Sequence, residues 1–174
     1  MAENRIDPTV PALFLVALIT LVFGFLGIDS YQNMGWKLGL VAAPLAAAIG
    51  IVFVVFTISA IRVGNAFAAA LFGFVAIALY AVQYGLPVKS MMMFIILALI
   101  FIVFVIVAFM VGAPKLLAIM LLCVALLYLF VGLFVDAGKA DSVYGLLFGI
   151  FGILAGLLSL YLAFALSTQK LPVF

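Results

Sequence analysis

The sequence predicts an all-α, polytopic membrane protein: a bundle of six transmembrane helices. Of its 174 residues, 72% are apolar and 7% are charged, whereas a soluble domain is about half apolar and about one quarter charged. A domain of this size buries only part of its surface, so this much apolar material must face lipid. The composition therefore excludes the soluble enzyme classes, and we expect one transmembrane domain over residues 1–174.

The number of helices follows from the spacing of the turn residues and single charges. A helix needs about 20 mostly apolar residues to cross a bilayer, and this chain is interrupted at close to that interval. The interruptions contain Gly, Pro or a charge, as is typical of turns at a membrane surface. The predicted spans are Val10–Leu26, Lys37–Ile61, Ala66–Gln83, Ser90–Val111, Lys115–Phe134 and Val143–Leu166. The predicted connections are Asp29–Gly35, Arg62–Asn65, Tyr84–Lys89, Gly112–Pro114 and Asp136–Asp141.

The basic residues predict the orientation in the membrane, because they favour the cytoplasmic side. With the amino terminus inside, the inner side carries Arg5, Arg62, Lys115 and Lys170, and the outer side Lys37, Lys89 and Lys139. The predicted outer span ends also carry an interfacial group of aromatic residues: Tyr31, Trp36, Tyr84 and Tyr144. We therefore expect a multi-pass protein of the cell membrane with both termini in the cytoplasm. The charges form no basic stripe, so no nucleic-acid partner is expected.

The polar residues exclude most catalytic chemistry. The chain has no histidine and one cysteine, which excludes Ser-His-Asp catalysis, His metal ligation and a disulfide within the chain. No ionisable residue lies near the middle of a predicted span, which argues against a proton pump or a charged selectivity ring. Met91–Met93 are consecutive and point in different directions around a helix, so we interpret them as packing residues rather than copper ligands. No enzyme activity, cofactor or metal is expected.

Small residues form a continuous stripe on the sixth span. Gly145, Gly149, Gly152, Gly156, Ser159 and Ala163 follow one another at intervals of four, three, four, three and four residues. Helices in lipid associate by close backbone packing at such residues. A shorter stripe, Gly39, Ala43, Ala47 and Gly50, lies on the second span. The favoured interpretation is helix packing within one protomer, and the alternative is packing between protomers or the lining of a conduit.

A glycine and an asparagine join the second and third spans. Gly64 allows positive φ in a tight turn, and the Asn65 side chain is suited to cap the third helix. The alternative is that the Asn65 amide lies at the mouth of a solute pathway. Residue properties alone favour the cap.

These residues carry a resemblance to a known family. Gly64-Asn65-x-Phe67 after Arg62, and Gly149-x-x-Gly152-x-x-x-Gly156-x-x-x-x-Tyr161-Leu-Ala163, resemble motifs of the acetate uptake transporter family, which includes bacterial succinate–acetate permease. Asp7-Pro8, Pro11, Lys115 and Leu171-Pro172 fall in matching places, so the resemblance covers most of the chain. The family's opening Asn-Pro-x-Pro-Leu-Gly is replaced by Asp7-Pro8-Thr9-Val10-Pro11-Ala12, and its polar stretch in the third helix is replaced by apolar residues 70–76.

The resemblance implies a pore within each protomer and a ring of six protomers. The family's Phe-Tyr-Leu constriction falls on Ala17, Val75 and Val124, and a neighbouring register would substitute Leu18 and Phe74. The expected substrate pathway is therefore Ala17, Asn65, Phe74, Val75 and Val124, and the glycines expected in helix packing or oligomer contacts are Gly145, Gly149, Gly152 and Gly156.

Two functions remain open from the sequence. The first is a channel or facilitator for a small monocarboxylate such as acetate, and possibly for succinate. The second is a non-transporting scaffold subunit of a membrane complex, which the scarcity of polar ligands inside the spans favours.

Overall fold

The computed structural model describes residues 8–32, 34, 38–84, 91–137, 143–168 and 171–172, and all regular secondary structure in these ranges is α-helical. The predicted fold class is therefore confirmed. Within these ranges, five helices are long and apolar enough to cross a membrane, and the third has a shorter apolar stretch at Ala66–Tyr80. The chain is a multi-pass membrane protein. Its helices are α1 (Thr9–Gln32), α2 (Leu38–Arg62), α3 (Ala66–Tyr84), α4 (Met91–Met110), α5 (Lys115–Ala137) and α6 (Val143–Thr168).

Two of the predicted connections were placed too early. α1 continues six residues beyond Leu26, so Asp29 lies inside this helix and is only 9% exposed. α5 likewise continues past Phe134 and includes the exposed Asp136. A helix satisfies its own backbone groups, so it continues until the chain reaches water, and a single charge near its end does not stop it. Residues 85–89 and 138–141 of the predicted connections, and the side chains of Trp36, Lys37 and Tyr84, lie outside the described part.

The six helices form a ring in chain order. Neighbouring helices pack against each other from α1 to α3 and from α4 to α6, and α6 returns to pack against α1. Aromatic side chains close the ring between α3 and α4: the ring centroids of Phe74 and Phe101 are 5.2 Å apart, and those of Phe67 and Phe104 are 6.2 Å apart. Each helix therefore lies between two others, and the ring encloses a central space.

The closest helix–helix contact in the ring is between α1 and α6. A Cβ added to Gly152 would lie 2.7 Å from the Cα of Gly24, and one added to Gly27 would lie 2.6 Å from the nitrogen of Gly149. Real Cβ atoms do not approach other atoms so closely, so the two backbones touch because both helices have glycine at the crossing. This is the packing expected where no hydrophobic drive acts between helices.

The four glycines of the α6 stripe all face this contact. Gly149, Gly152 and Gly156 lie against α1, and Gly145 lies between α1 and Phe134 of α5. The stripe is therefore covered within the chain, as the favoured interpretation holds, and a second protomer would have to use another face.

The shorter stripe on α2 faces α3. A Cβ on Gly50 would lie 3.3 Å from the ring of Tyr80, and Ala47 is buried. The side chains of the two earlier members, Gly39 and Ala43, lie outside the described part.

The outer faces of the ring are apolar. Ile61 on α2, Ile77 on α3 and Met110 on α4 are 64%, 67% and 81% exposed. Large apolar side chains at this exposure contact lipid in a chain whose helices are long enough to cross a bilayer. Met92 is also strongly exposed, whereas Met93 packs against the core, so the consecutive methionines do point in different directions.

Candidate solute pathway

A cavity of about 300 Å³ lies inside the ring and is lined by residues of all six helices. One water molecule occupies about 30 Å³ of liquid, so the space is large enough for a solute of several heavy atoms. None of the described residues that line it is an acid, a lysine or an arginine. The cavity is therefore an uncharged apolar space with a few polar groups.

The lining residues give the depth of the cavity. They extend from Thr9 to Phe23 on α1, from Asn65 to Leu79 at and along α3, and from Pro114 to Tyr128 at and along α5. In each case the first and last lining residues are fourteen positions apart. At 1.5 Å per residue, this corresponds to about 21 Å, against a hydrocarbon core of about 30 Å. The cavity thus begins at one end of the bundle, hereafter the mouth, and ends about two thirds of the way across.

The turn between α2 and α3 forms one side of the mouth. Gly64 has a φ of +77°, and the backbone N–H groups of Gly64 and Asn65 donate to the carbonyls of Ile61 and Ala60, each at 3.0 Å. This pair of hydrogen bonds is the Schellman motif, in which glycine supplies the positive φ. The Asn65 Oδ1 then accepts the N–H of Ala68 at 3.0 Å. The predicted cap is therefore present, and Asn65 also lines the cavity.

The turn between α4 and α5 repeats this geometry on the other side. Gly112 has a φ of +69°, and the N–H of Ala113 donates to the carbonyl of Ala108 at 2.9 Å. The carbonyl of Pro114 accepts from Leu117 at 2.9 Å, which starts α5. The sequence analysis assigns no function to this turn. Both turns contain the pair Val-Gly, at residues 63–64 and 111–112, and this repeat is the sequence signal that relates them.

The described side-chain charges at the mouth are positive. The mouth is lined mainly by the first turns of α1, α3 and α5, but α2, α4 and α6 end on the same side of the bundle, so the helix dipoles largely cancel and the side chains decide the sign. Arg62 and Lys115 are exposed at the same end. Asp29 and Asp136 lie near the other ends of α1 and α5. The described charges therefore favour anions over cations at the mouth.

The structure places three of the five predicted pathway residues on the cavity wall. Asn65 lies at the mouth, and Val75 and Val124 each lie ten residues further in, or about 15 Å along their helices. Phe53 and Phe101 also line the wall. The two valines thus lie close to half-way across the bundle.

The other two predicted residues lie elsewhere. Phe74 packs against Phe101 and Phe104 in the contact that closes the ring between α3 and α4. Ala17 is 2% exposed and does not line the cavity. Ala17 lies seven residues, or about two helical turns, before Gly24. It is therefore on the face of α1 that carries Gly24 and Gly27 and packs against α6. Leu18, the alternative for Ala17, is 46% exposed.

Tyr128 brings a polar group to the inner end of the cavity. Its side chain is 7% exposed, and its ring stacks on that of Phe101 with the centroids 5.4 Å apart and the planes at 11°. Within the described residues its hydroxyl has no hydrogen-bond partner. Sequence reasoning gave Tyr128 no role, although its position four residues after Val124 puts both on one face of a helix.

Several other hydroxyls inside the helices bond to their own helix, and the buried Ser159 hydroxyl donates to the sulfur of Met120 on α5 at 2.8 Å. Thr57 and Ser59 donate to the carbonyls of Phe53 and Val55, four residues earlier in α2. On the cavity wall, Thr20 Oγ1 donates to the carbonyl of Val16 at 2.7 Å. Buried hydroxyls usually satisfy themselves in this way, so Tyr128 is the exception on this wall.

Comparison with protein-family models, with curated proteins and with solved structures finds no match to this chain.

Proposed function

We propose that this protein is a channel or facilitator for a small monocarboxylic acid, with one pathway inside each protomer. The observation that carries the proposal is the central cavity, which has a polar mouth flanked by the exposed Arg62 and Lys115 and a wall without described charges. Such a space favours a small solute that is mostly apolar and has a single polar end group.

The uncharged wall favours the protonated acid over its anion. Moving an isolated carboxylate into an apolar environment has a large free-energy cost, whereas a neutral polar group loses a few kcal/mol and recovers part of it through one hydrogen bond. At about 15 Å from the mouth the solute passes Val75, Val124 and Phe101, which offer no charge to compensate an anion. The neutral acid is therefore the species proposed to cross.

The positive mouth has a different role. Its potential repels cations, and it does not change the concentration of a neutral solute. It thus acts against small cations such as ammonium without hindering the neutral acid.

The resemblance to acetate uptake transporters supports the choice of solute. It extends the proposal to acetate, and possibly succinate, and to a homohexamer in the cell membrane with both termini in the cytoplasm. Because α1 covers the glycine stripe of α6, contacts between protomers in such a hexamer would use the apolar outer faces of each protomer.

A scaffold subunit without transport is the alternative. Exposed apolar faces such as that of α4 are compatible with partner contacts as well as with lipid, but a scaffold does not require a cavity lined by all six helices.

The test is transport by the purified chain in liposomes that contain no other protein. Acetate influx at pH 5.5 is measured from internal acidification, against protein-free liposomes of the same lipid, because acetic acid also crosses bare bilayers. The proposal requires a protein-dependent component that saturates with acetate and exceeds the bare rate. Influx equal to that of protein-free liposomes favours the scaffold.

A further inference from the structure

The inner end of the cavity contains a polar group with no structural use. Tyr128 is buried, its aromatic ring is held by stacking on Phe101, and its hydroxyl has no partner among the described residues. A buried hydroxyl without a hydrogen bond has a substantial free-energy cost, and native structures seldom keep such a group without a reason. Phenylalanine would supply the same stacking at no such cost.

The surroundings of this hydroxyl indicate what it could bind. The wall at this depth is formed by Phe23, Leu79 and Leu127, and no described lining residue is charged. A ligand bound here has one hydrogen-bonding end group and an apolar remainder of a few carbon atoms. A charged end group would have no counter-ion.

From this juxtaposition we infer that the inner end of the cavity is a solute-binding site in which the Tyr128 hydroxyl donates a hydrogen bond to the carbonyl oxygen of a protonated short-chain carboxylic acid. This inference rests on the proposed function for the choice of solute, and it adds the residue that recognises the end group. Thr20 has another role, since its hydroxyl hydrogen is already used by the carbonyl of Val16.

Tyr128 lies on α5, whereas the tyrosine of the resembled family's constriction falls on Val75 of α3 in this chain. Val75 lies ten residues from the mouth and Tyr128 fourteen, so the Cα of Tyr128 lies about 6 Å further in. Its ring stacks on Phe101, which also lines the wall.

The stacking limits how the acid can sit. Phe101 covers one face of the tyrosine ring at an interplanar angle of 11°, which restrains the side chain from changing rotamer and keeps the hydroxyl in place. The alkyl part of the acid then lies against the apolar wall. Longer chains should gain affinity up to the length that the wall accommodates and lose it beyond that length.

The test compares Tyr128→Phe with wild type and with Tyr144→Phe, which removes a hydroxyl from an exposed ring outside the cavity. Binding of ¹³C-labelled acetic acid to the detergent-solubilised protein is measured by calorimetry at pH 4.5, where about half of the acid is protonated. Tyr128→Phe is expected to weaken binding about three- to tenfold, the loss of one hydrogen bond, whereas Tyr144→Phe keeps wild-type affinity. Circular dichroism checks that both variants are folded.

Infrared spectroscopy provides a readout that a structural role would not change. The labelled carbonyl stretch of bound acid lies at lower frequency when the oxygen accepts a hydrogen bond, so it should move to higher frequency in Tyr128→Phe and not in Tyr144→Phe. Unchanged affinity and carbonyl frequency in Tyr128→Phe would overturn the inference and leave the proposed function standing. Wild-type protein that binds the acid as expected but gives no flux in liposomes overturns the proposed function and leaves the binding site standing. Wild-type protein that does neither overturns both.

Discussion

Gly24 of α1 and Gly152 of α6 touch through their backbones: a Cβ on Gly152 would lie 2.7 Å from the Cα and 2.8 Å from the nitrogen of Gly24. The neighbouring turns repeat the relationship, because Gly27 lies equally close to Gly149. The ring of six helices is closed at this position by contact of main chain with main chain.

The first prediction concerns this contact. Gly152→Ala should lower the free energy of unfolding by about 1–3 kcal/mol through overpacking, and Gly152→Leu should lower it further, because no flexible side chain is available to move aside. The measurement is the thermal unfolding midpoint in detergent. Gly73→Ala is the matched control, since its Cβ would lie 3.5 Å from Thr57 in ordinary contact. Equal midpoints for Gly152→Leu and wild type would show that the two helices do not cross this closely.

The second prediction concerns the cap at the mouth. Asn65→Ala removes the acceptor of the Ala68 N–H, and it should cost about 0.5–2 kcal/mol. Asn65→Asp keeps a capping oxygen and should retain wild-type stability, as measured by thermal unfolding. If both variants unfold at the wild-type temperature, the cap contributes nothing to folding.

The third prediction separates the neutral acid from the anion. Lys115→Gln and Asn65→Asp each make the mouth one unit more negative, which repels an anion and leaves a neutral solute unaffected. Acetate flux at fixed pH should therefore equal that of wild type in both variants, and it should not depend on ionic strength. A parallel fall in both variants, relieved by salt, would mean that the anion crosses.

The fourth prediction concerns pH. An acid with a pKa near 4.3 is protonated at about one part in 500 at pH 7, and this fraction rises about tenfold for each unit of acidification until the pKa is approached. Flux should follow that curve, because no described residue of the wall is suited to titrate between pH 5 and 8. Asp29→Asn is the decisive variant, since Asp29 is buried; Asp136→Asn, at an exposed position, is its control. Loss of the pH dependence in folded Asp29→Asn would reveal a proton relay in the protein.

The fifth prediction concerns the width of the pathway at mid-depth. Val124 is 6% exposed and lies on the cavity wall, so Val124→Phe should obstruct the space and reduce flux at every pH. Ile119→Phe is the control, because Ile119 lies on the same helix and is 48% exposed. Flux is measured in liposomes containing equal amounts of folded protein. Equal inhibition by the two substitutions would argue against a pathway past Val124.

The sequence predicts the helices well because apolar length and turn residues depend on local spacing alone. It also predicts the cap at Asn65, because Gly64 and Asn65 are neighbours in the chain. It fails at Asp29, where a charge near a span end indicated a turn and the helix continues. Asp29 is buried, and burial depends on tertiary packing, which has no local signal in the sequence.

The cavity could be predicted only in part. Val75 and Val124 were placed by the resemblance, and they line the wall. Ala17 was placed in the same way, but the glycines of α1 and α6 determine which face of α1 is turned inward, and Ala17 follows the face turned to α6. Tyr128 was overlooked because nothing in the chain order indicates that its ring would stack on Phe101.

Two different faces of α1 have two different roles, one in packing and one in lining the cavity. Gly24 and Gly27 face α6 and hold the ring, whereas Val16, Ile19 and Phe23 face the cavity. A substitution at the second set alters what the cavity accommodates without changing the crossing of the two backbones. The lining of the cavity is therefore free to diverge during evolution while the architecture stays constant, and relatives of this chain should vary in their inward-facing α1 residues far more than at its two glycines.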